Sequence, residues 1–204
     1  MNTIGMATHD FSTSLSYEQS KFSLQDKFYT EKLGAKAITR ACFDNEQGKK
    51  LQRMDVDVQF VYEGRVVNVS EKNRKKDFGD LLLEFYSKFP STPGWMNNSN
   101  ADYLAYFVPG KVYWINKREL EVFYNDVLKP VVPDSFFAQL MSLYPKDSKK
   151  VDRFVDINGR KEKITVTQAY NKPHDSDADW YTESICVSFS CLKQAGVHVN
   201  EFSL

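Results

Sequence analysis

The sequence predicts an α/β fold: a single domain spanning residues 1–204, with a central mixed β-sheet flanked by helices. Three observations carry that expectation. Runs that alternate apolar and polar residues with a period of two recur along the chain, the plainest lying on either side of Asn158-Gly159 and through residues 54–72. Segments with helical spacing stand between them, at 17–33, 117–129 and 134–144. The composition, 42% hydrophobic with 15 Phe and 11 Tyr, supplies one sizeable core, and 204 residues leave little room for a second. No repeat, low-complexity tract or separable linker divides the chain.

Charge and composition narrow the function. Lys+Arg and Asp+Glu both number 27, so the formal charge is zero and broad, sequence-blind binding of polyanions is disfavoured, although a local basic groove is not. No apolar run approaches the roughly 20 residues that cross a bilayer, and the N-terminus lacks the basic-then-apolar pattern of a secretory signal. The expectation is a soluble, cytoplasmic protein without a membrane partner. Cys42, Cys186 and Cys191 form no CxxC pair, which fits a reducing compartment. His9, His174 and His198 show no ligand spacing, so zinc is not expected.

In chain order, residues 1–16 are a Ser/Thr-rich, loosely held lead-in. A helix over 17–33 follows, with Ser16 as its cap and Gly34 as its stop, turning Phe22, Phe28, Tyr29 and Leu33 inward. Glu18 and Asp26 on this helix read as ordinary surface charges. Residues 35–43 read as a strand and 44–53 as a polar loop. The hairpin over 54–72 turns at Glu63-Gly64. On its first strand Asp55, Asp57 and Gln59 share one face, and Met54, Val56, Val58 and Phe60 the other. On its second strand Val67 and Val69 alternate with Asn68, Ser70 and Lys72, and the strand ends in Glu71-Lys72. If the two strands pair, two carboxylates and a lysine converge at one edge.

Residues 73–79 form a polar link. Its Arg74, Lys75 and Lys76 join Lys72 in the densest positive patch of the chain, suited either to a phosphate backbone or to a solvated turn. The apolar run 80–89 embeds Glu84, an acid costly to bury without a partner. It is therefore expected to face a cleft or to reach an edge, the cleft being the better reading, with Asp80 on the same side. A turn at Pro93-Gly94-Trp95 leads through an Asn/Ser loop to a strand over 101–107, a turn at Pro109-Gly110 and a strand over 111–115. A helix capped near Asn116 runs over 117–129 and stops before Pro130. Trp95 either stacks on a base or packs beneath its loop; Asp102 steadies a lysine or caps the loop. Asp134 is expected to cap the third helix. A charged linker follows, whose lysines with Arg153, Arg160, Lys161 and Lys163 suggest a second positive region. In the loop 171–179, Asp175, Asp177 and Asp179 lack the glycine and glutamate of a calcium loop and read as solvated. A short helix near 188–195, ended by Gly196, and a final strand close the chain.

An aspartate opening one strand, a turn, a strand ending in acid and lysine, an acid-bearing strand, then Gly94-Trp95 and Asp102-Tyr103 before another strand: this order resembles the PD-(D/E)XK nuclease superfamily, in particular its phage and prophage members. The resemblance implies a restriction-endonuclease-like fold and hydrolysis of DNA phosphodiester bonds with Mg2+ or Mn2+, by a phage- or mobile-element-derived enzyme working in a bacterial cytoplasm. It implies Asp55 as the first choice of metal ligand with Asp57 close behind, Glu71 and Glu84 competing to be the second carboxylate, metal-binding and catalytic, and Lys72 as the group orienting the attacking water. Arg74, Lys75, Lys76 and Trp95 would contact the nucleic acid. The chain departs from the family where Ser70 stands two residues before Lys72 in place of an acid. Glu71 could reach the cleft through a β-bulge, Asp57 or Glu84 could supply the missing carboxylate, or the site could be dead. The last alternative is a nuclease-fold binding protein, such as a phage inhibitor or assembly factor. A homodimer built on the abundant Tyr and Phe is a further state the composition allows.

Overall fold

In a computed structural model the chain is described over residues 22–41, 46–172 and 178–204. Glu18, Cys42, His9, His174, Asp175, Asp177 and the Ser16 cap lie outside the described residues. No described helix is long and apolar enough to cross a membrane.

The first described helix, α1 (Phe22–Lys32), is followed by β1 (Lys36–Arg40). Gly34, at φ +67°, lets the chain leave the helix, and the Ala35 N–H closes back on the Tyr29 carbonyl at 2.9 Å. Residues 46–53, expected as loop, instead form helix α2 (Glu46–Arg53). Its sequence is polar apart from Leu51, and burial of Leu51 docks this short helix. The hairpin is β2 (Val58–Tyr62) and β3 (Arg65–Asn73), joined at Glu63-Gly64 with φ of +48° and +76°, the left-handed pair a two-residue turn needs. Val56, Val58 and Phe60 are buried on one side, as their alternation requires.

The strands that follow are β4 (Asp80–Phe89), β5 (Thr92–Pro93), β6 (Tyr103–Val108) and β7 (Lys111–Asn116), with a one-turn helix α3 (Trp95–Asn98) between β5 and β6. Helix α4 (Lys117–Phe123) is capped by the Asn116 side chain, which accepts from Glu119 N at 3.2 Å. It widens into a π-helical turn over Tyr124–Leu128, so the expected single helix has two geometries. In α5 (Asp134–Leu143) Pro133 occupies the capping position and Asp134 is the first helical residue, so the helix begins one residue earlier than a cap at Asp134 implies. The chain ends with β8 (Lys149–Ile157), β9 (Arg160–Asn171), β10 (Trp180–Ser188), α6 (Phe189–Gln194) and β11 (Val199–Ser203).

The expectation of one central sheet needs correction. The strands divide into a six-stranded sheet, ordered β1-β2-β3-β6-β7-β11, and a five-stranded sheet, ordered β5-β4-β10-β9-β8. The reason lies at β3: β2 takes one edge antiparallel and β6 takes the other parallel, leaving no slot for β4. Alternation on β6 and β7 then builds two cores. Ala105, Phe107, Val112 and Trp114 pack with Phe28 and Tyr29 of α1, while Leu104, Tyr106, Tyr113 and Ile115 join the larger core that continues into the second sheet. Lys72 and Glu84 therefore come from different sheets.

Candidate functional site

The C-terminal end of β3 and the exposed side of β4 border a cleft of about 410 Å3, lined among others by Arg40, Asp57, Glu71, Lys72, Arg74, Glu84 and Trp95. Asp55, the first ligand expected, is not among the lining residues, although Gln52 and Asp57 on either side of it are. Helix α2 hands the chain directly to Asp55: Asp55 N–H bonds the Gln52 carbonyl and Val56 N–H the Leu51 carbonyl, both at 3.0 Å. This forces Asp55 to φ +50°, a conformation aspartate tolerates better than most residues. Its backbone is locked further by Ser99, whose hydroxyl donates to the Asp55 carbonyl at 3.0 Å.

Asp57 lies just before β2, and its N–H bonds the Val69 carbonyl at 2.9 Å. Its Oδ2 accepts from Glu71 N–H at 2.6 Å and from the Ser70 hydroxyl at 3.2 Å, with Lys72 Nζ 3.8 Å away. Ser70 thus helps hold the Asp57 carboxylate beside the lysine. Asp55 responds to the same lysine: burial pushes its carboxyl up and Lys72 pulls it back, with smaller effects of Asp57 and Lys117. Glu84 behaves alike, raised by burial, lowered by Lys72 and raised a little by Asp55. Lys72 is the charge common to all three acids.

Glu71 lines the same cleft but is already engaged. Pairing of β3 with β2 and β6 is regular from Val69 onward, so no bulge re-aims this side chain. Its carboxylate accepts from the Tyr29 hydroxyl at 2.7 Å and from Arg40 at 2.8 and 3.3 Å, and Arg40 also holds Asp26 at 2.7 Å. Burial raises the Glu71 carboxyl and Arg40 opposes it; burial together with Glu71 pushes the Tyr29 hydroxyl well up. Nothing in the sequence pattern marks the Arg40–Glu71–Tyr29 network, because its members come from three elements without a shared motif.

The nucleic-acid candidates separate as well. Arg74 lines the cleft but is held by Asp80, by the Tyr106 hydroxyl at 3.2 Å and against the Phe78 ring at 4.5 Å. Lys75 and Lys76 are exposed on the turn beyond it and do not line the cleft. Trp95 is 9% exposed, so it packs beneath its loop, with Lys72 Nζ 5.9 Å from the ring centroid. Gly94 has a geometric role: a Cβ there would stand 2.5 Å from the Glu84 carbonyl oxygen and 2.8 Å from its Cγ. The glycine lets the Trp95 turn press against Glu84. Among the described residues the Asp102 side chain neither holds a lysine nor caps its loop; Asp102 extends the β3–β6 pairing by one residue, its Oδ2 accepting from Asn68 N–H and its N–H donating to the Asn68 carbonyl, both at 2.8 Å.

A divalent cation has two unengaged carboxylates to choose from. Asp55 Oδ2 is buried with no hydrogen-bond partner, and the Glu84 carboxylate makes no hydrogen bond or ion pair among the described residues. Among the described residues no three acids, imidazoles or thiols form a ready-made cage. Magnesium asks for less, since one or two carboxylates with water and substrate phosphate complete its shell. The residues present fit that demand. A groove of similar size, about 430 Å3, lies beside α4, but its lining of Arg118, Glu119, Val122, Asp126 and neighbours brings no buried acid to a lysine. Compared with known proteins, the chain matches no family model, no curated protein and no solved structure.

Proposed function

We propose that the protein is a metal-dependent nuclease that hydrolyses DNA phosphodiester bonds in this cleft, on a scaffold similar to the restriction-endonuclease-like fold. The observation that carries the reading is the Lys72 ammonium, 3.8 Å from Asp57 and electrostatically coupled to Asp55 and Glu84, with Asp55 Oδ2 buried and unpartnered. Asp55 and Glu84 are the cation ligands in this proposal, and the cation would be Mg2+ or Mn2+. Once bound it supplies Lewis-acid polarisation of a phosphoryl oxygen and a water of lowered pKa. Lys72 orients the attacking water or stabilises charge on the phosphoryl oxygens. Asp57 holds the lysine, and Ser70 with the Glu71 N–H holds Asp57. Glu71 takes a supporting part, because its oxygens are committed to Arg40 and Tyr29.

Purified protein with Mg2+ or Mn2+ is expected to cut at least one of duplex, single-stranded and branched DNA, and Lys72→Ala is expected to abolish cutting. If all three substrates stay intact under both metals, the enzyme reading fails. Ser70 in place of an acid favours a second reading, a binding protein on the same scaffold that no longer cuts. Calorimetry separates them: the enzyme binds Mn2+ and loses that heat in Asp55→Asn, whereas the binding protein shows neither heat nor difference.

A further inference from the structure

The second sheet contains a pair of polar side chains that the cleft does not use. Glu183 on β10 is fully buried, and neither of its carboxyl oxygens has a hydrogen-bond partner. Directly opposite it in the antiparallel register stands Gln168 on β9, also fully buried. Opposed residues of such a pair share a face and lie within side-chain reach. The Gln168 amide already gives its Nε2 to the Asp147 carbonyl at 3.2 Å, and its Oε1 has no donor. Three buried acceptor oxygens are therefore carried by two opposed residues without a donor to any of them, an arrangement that costs free energy unless a donor is present. The Gln168 nitrogen, with its second hydrogen, is turned to Asp147, so the one group within the pair that can give a donor to Gln168 Oε1 is the Glu183 carboxyl itself, in its protonated form.

We infer that Glu183 is a neutral carboxylic acid that donates its O–H to Gln168 Oε1, an acid–amide latch that ties β10 to β9 and, through Gln168, to the connection entering β8, and that loss of this proton opens it. Burial pushes the Glu183 carboxyl up to about 8. The charged and titratable groups around it do not counter that. Lys149, opposite Gln168 on β8, is held by Asp147 at 3.6 Å and lies over the Tyr144 ring at 4.3 Å. Tyr86, opposite on β4, interacts with Asp134 of α5, while the Tyr181 hydroxyl accepts from Lys146 N–H and the Tyr170 hydroxyl donates to Asp179.

The latch sits at an irregular point of the sheet. Pairing of β10 with β4 shifts register on both sides of Glu183, and the next residue, Ser184, faces Glu84. Opening it would loosen the strand pairing that sets Glu84, whether or not the cleft hydrolyses DNA.

The test compares denaturant unfolding of the wild type and Glu183→Gln from about pH 5 to pH 9. A glutamine keeps a donor in place and removes the titration. The folded protein binds one more proton than the unfolded chain between the ordinary glutamate range and about 8. Across that window the unfolding constant of the wild type, relative to the variant, rises about tenfold per pH unit and then levels off. Infrared spectra of the wild type provide a readout independent of the variant: a protonated-acid carbonyl band persists at neutral pH and disappears in mild alkali. Parallel unfolding curves, or a band that is lost in the acidic range of ordinary glutamates, overturn the latch.

Discussion

Glu71 and Lys72 are neighbours on one strand, yet their side chains end in opposite circumstances. Glu71 is saturated: tyrosine and arginine donors occupy both of its oxygens, and Arg40 is in turn anchored to Asp26. Lys72 stands among three acids and engages only one of them, at 3.8 Å, while the buried oxygen of Asp55 has no hydrogen-bond partner. Charges in the first group have their partners within the protein and serve architecture. Charges in the second are short of partners, which is the condition under which an added cation or phosphate gains the most.

Substitutions on the two sides should therefore separate activity from stability. The largest effect is expected from Lys72→Ala, with cleavage falling by about 10²–10⁴-fold, the usual contribution of a positioned proton-transfer or charge-stabilising group. Its unfolding free energy should stay within about 0.5 kcal/mol of the wild type, since the side chain is partly exposed. Glu71→Ala should do the reverse. It takes the buried partner from Arg40, whose side chain is only 15% exposed and keeps only the more exposed Asp26, and from the buried Tyr29 hydroxyl, and should cost about 3 kcal/mol in urea unfolding, the lower end for breaking a buried pair. Comparable losses of stability in both variants would erase the distinction drawn here.

Glu84→Gln comes next. Manganese-binding heat should vanish while stability at neutral pH holds or rises, because the wild-type carboxyl is already raised by burial. The sign follows from that direction: the folded state holds the proton more tightly than the unfolded chain, so ionisation weakens folding as pH climbs through the window, and glutamine escapes the penalty. The smallest effect is that of Gly94→Ala, about 1–3 kcal/mol, from forcing a methyl group against the Glu84 backbone. A melting curve unchanged by this substitution would show that the turn yields freely.

The parts of the fold that could be read in the sequence are those fixed over short range. Alternation placed Val56, Val58 and Phe60 inside, and the Glu63-Gly64 and Asn158-Gly159 pairs marked their turns, both with left-handed backbone. Helix α2 was missed because its only apolar anchor is Leu51 and a glycine interrupts it; packing overrides propensity there. The second sheet was missed because β4 pairs with β10, a partner remote in sequence that no local pattern identifies. At the site, Asp57 beside Lys72 follows from hairpin register and was legible. The approach of Glu84 depends on two sheets meeting, and the capture of Glu71 by Arg40 and Tyr29 depends on how α1 lies across the first sheet, so neither was.

The pairing of β4 with β10 also has a temporal side. During synthesis Asp55, Asp57 and Lys72 leave the ribosome within one hairpin, but Glu84 waits for Trp180–Ser188 before its strand has a long partner. A nascent chain halted before β10 would carry an unfinished set of acids, so whatever this cleft does to its substrate should switch on only once Trp180–Ser188 has been made and paired.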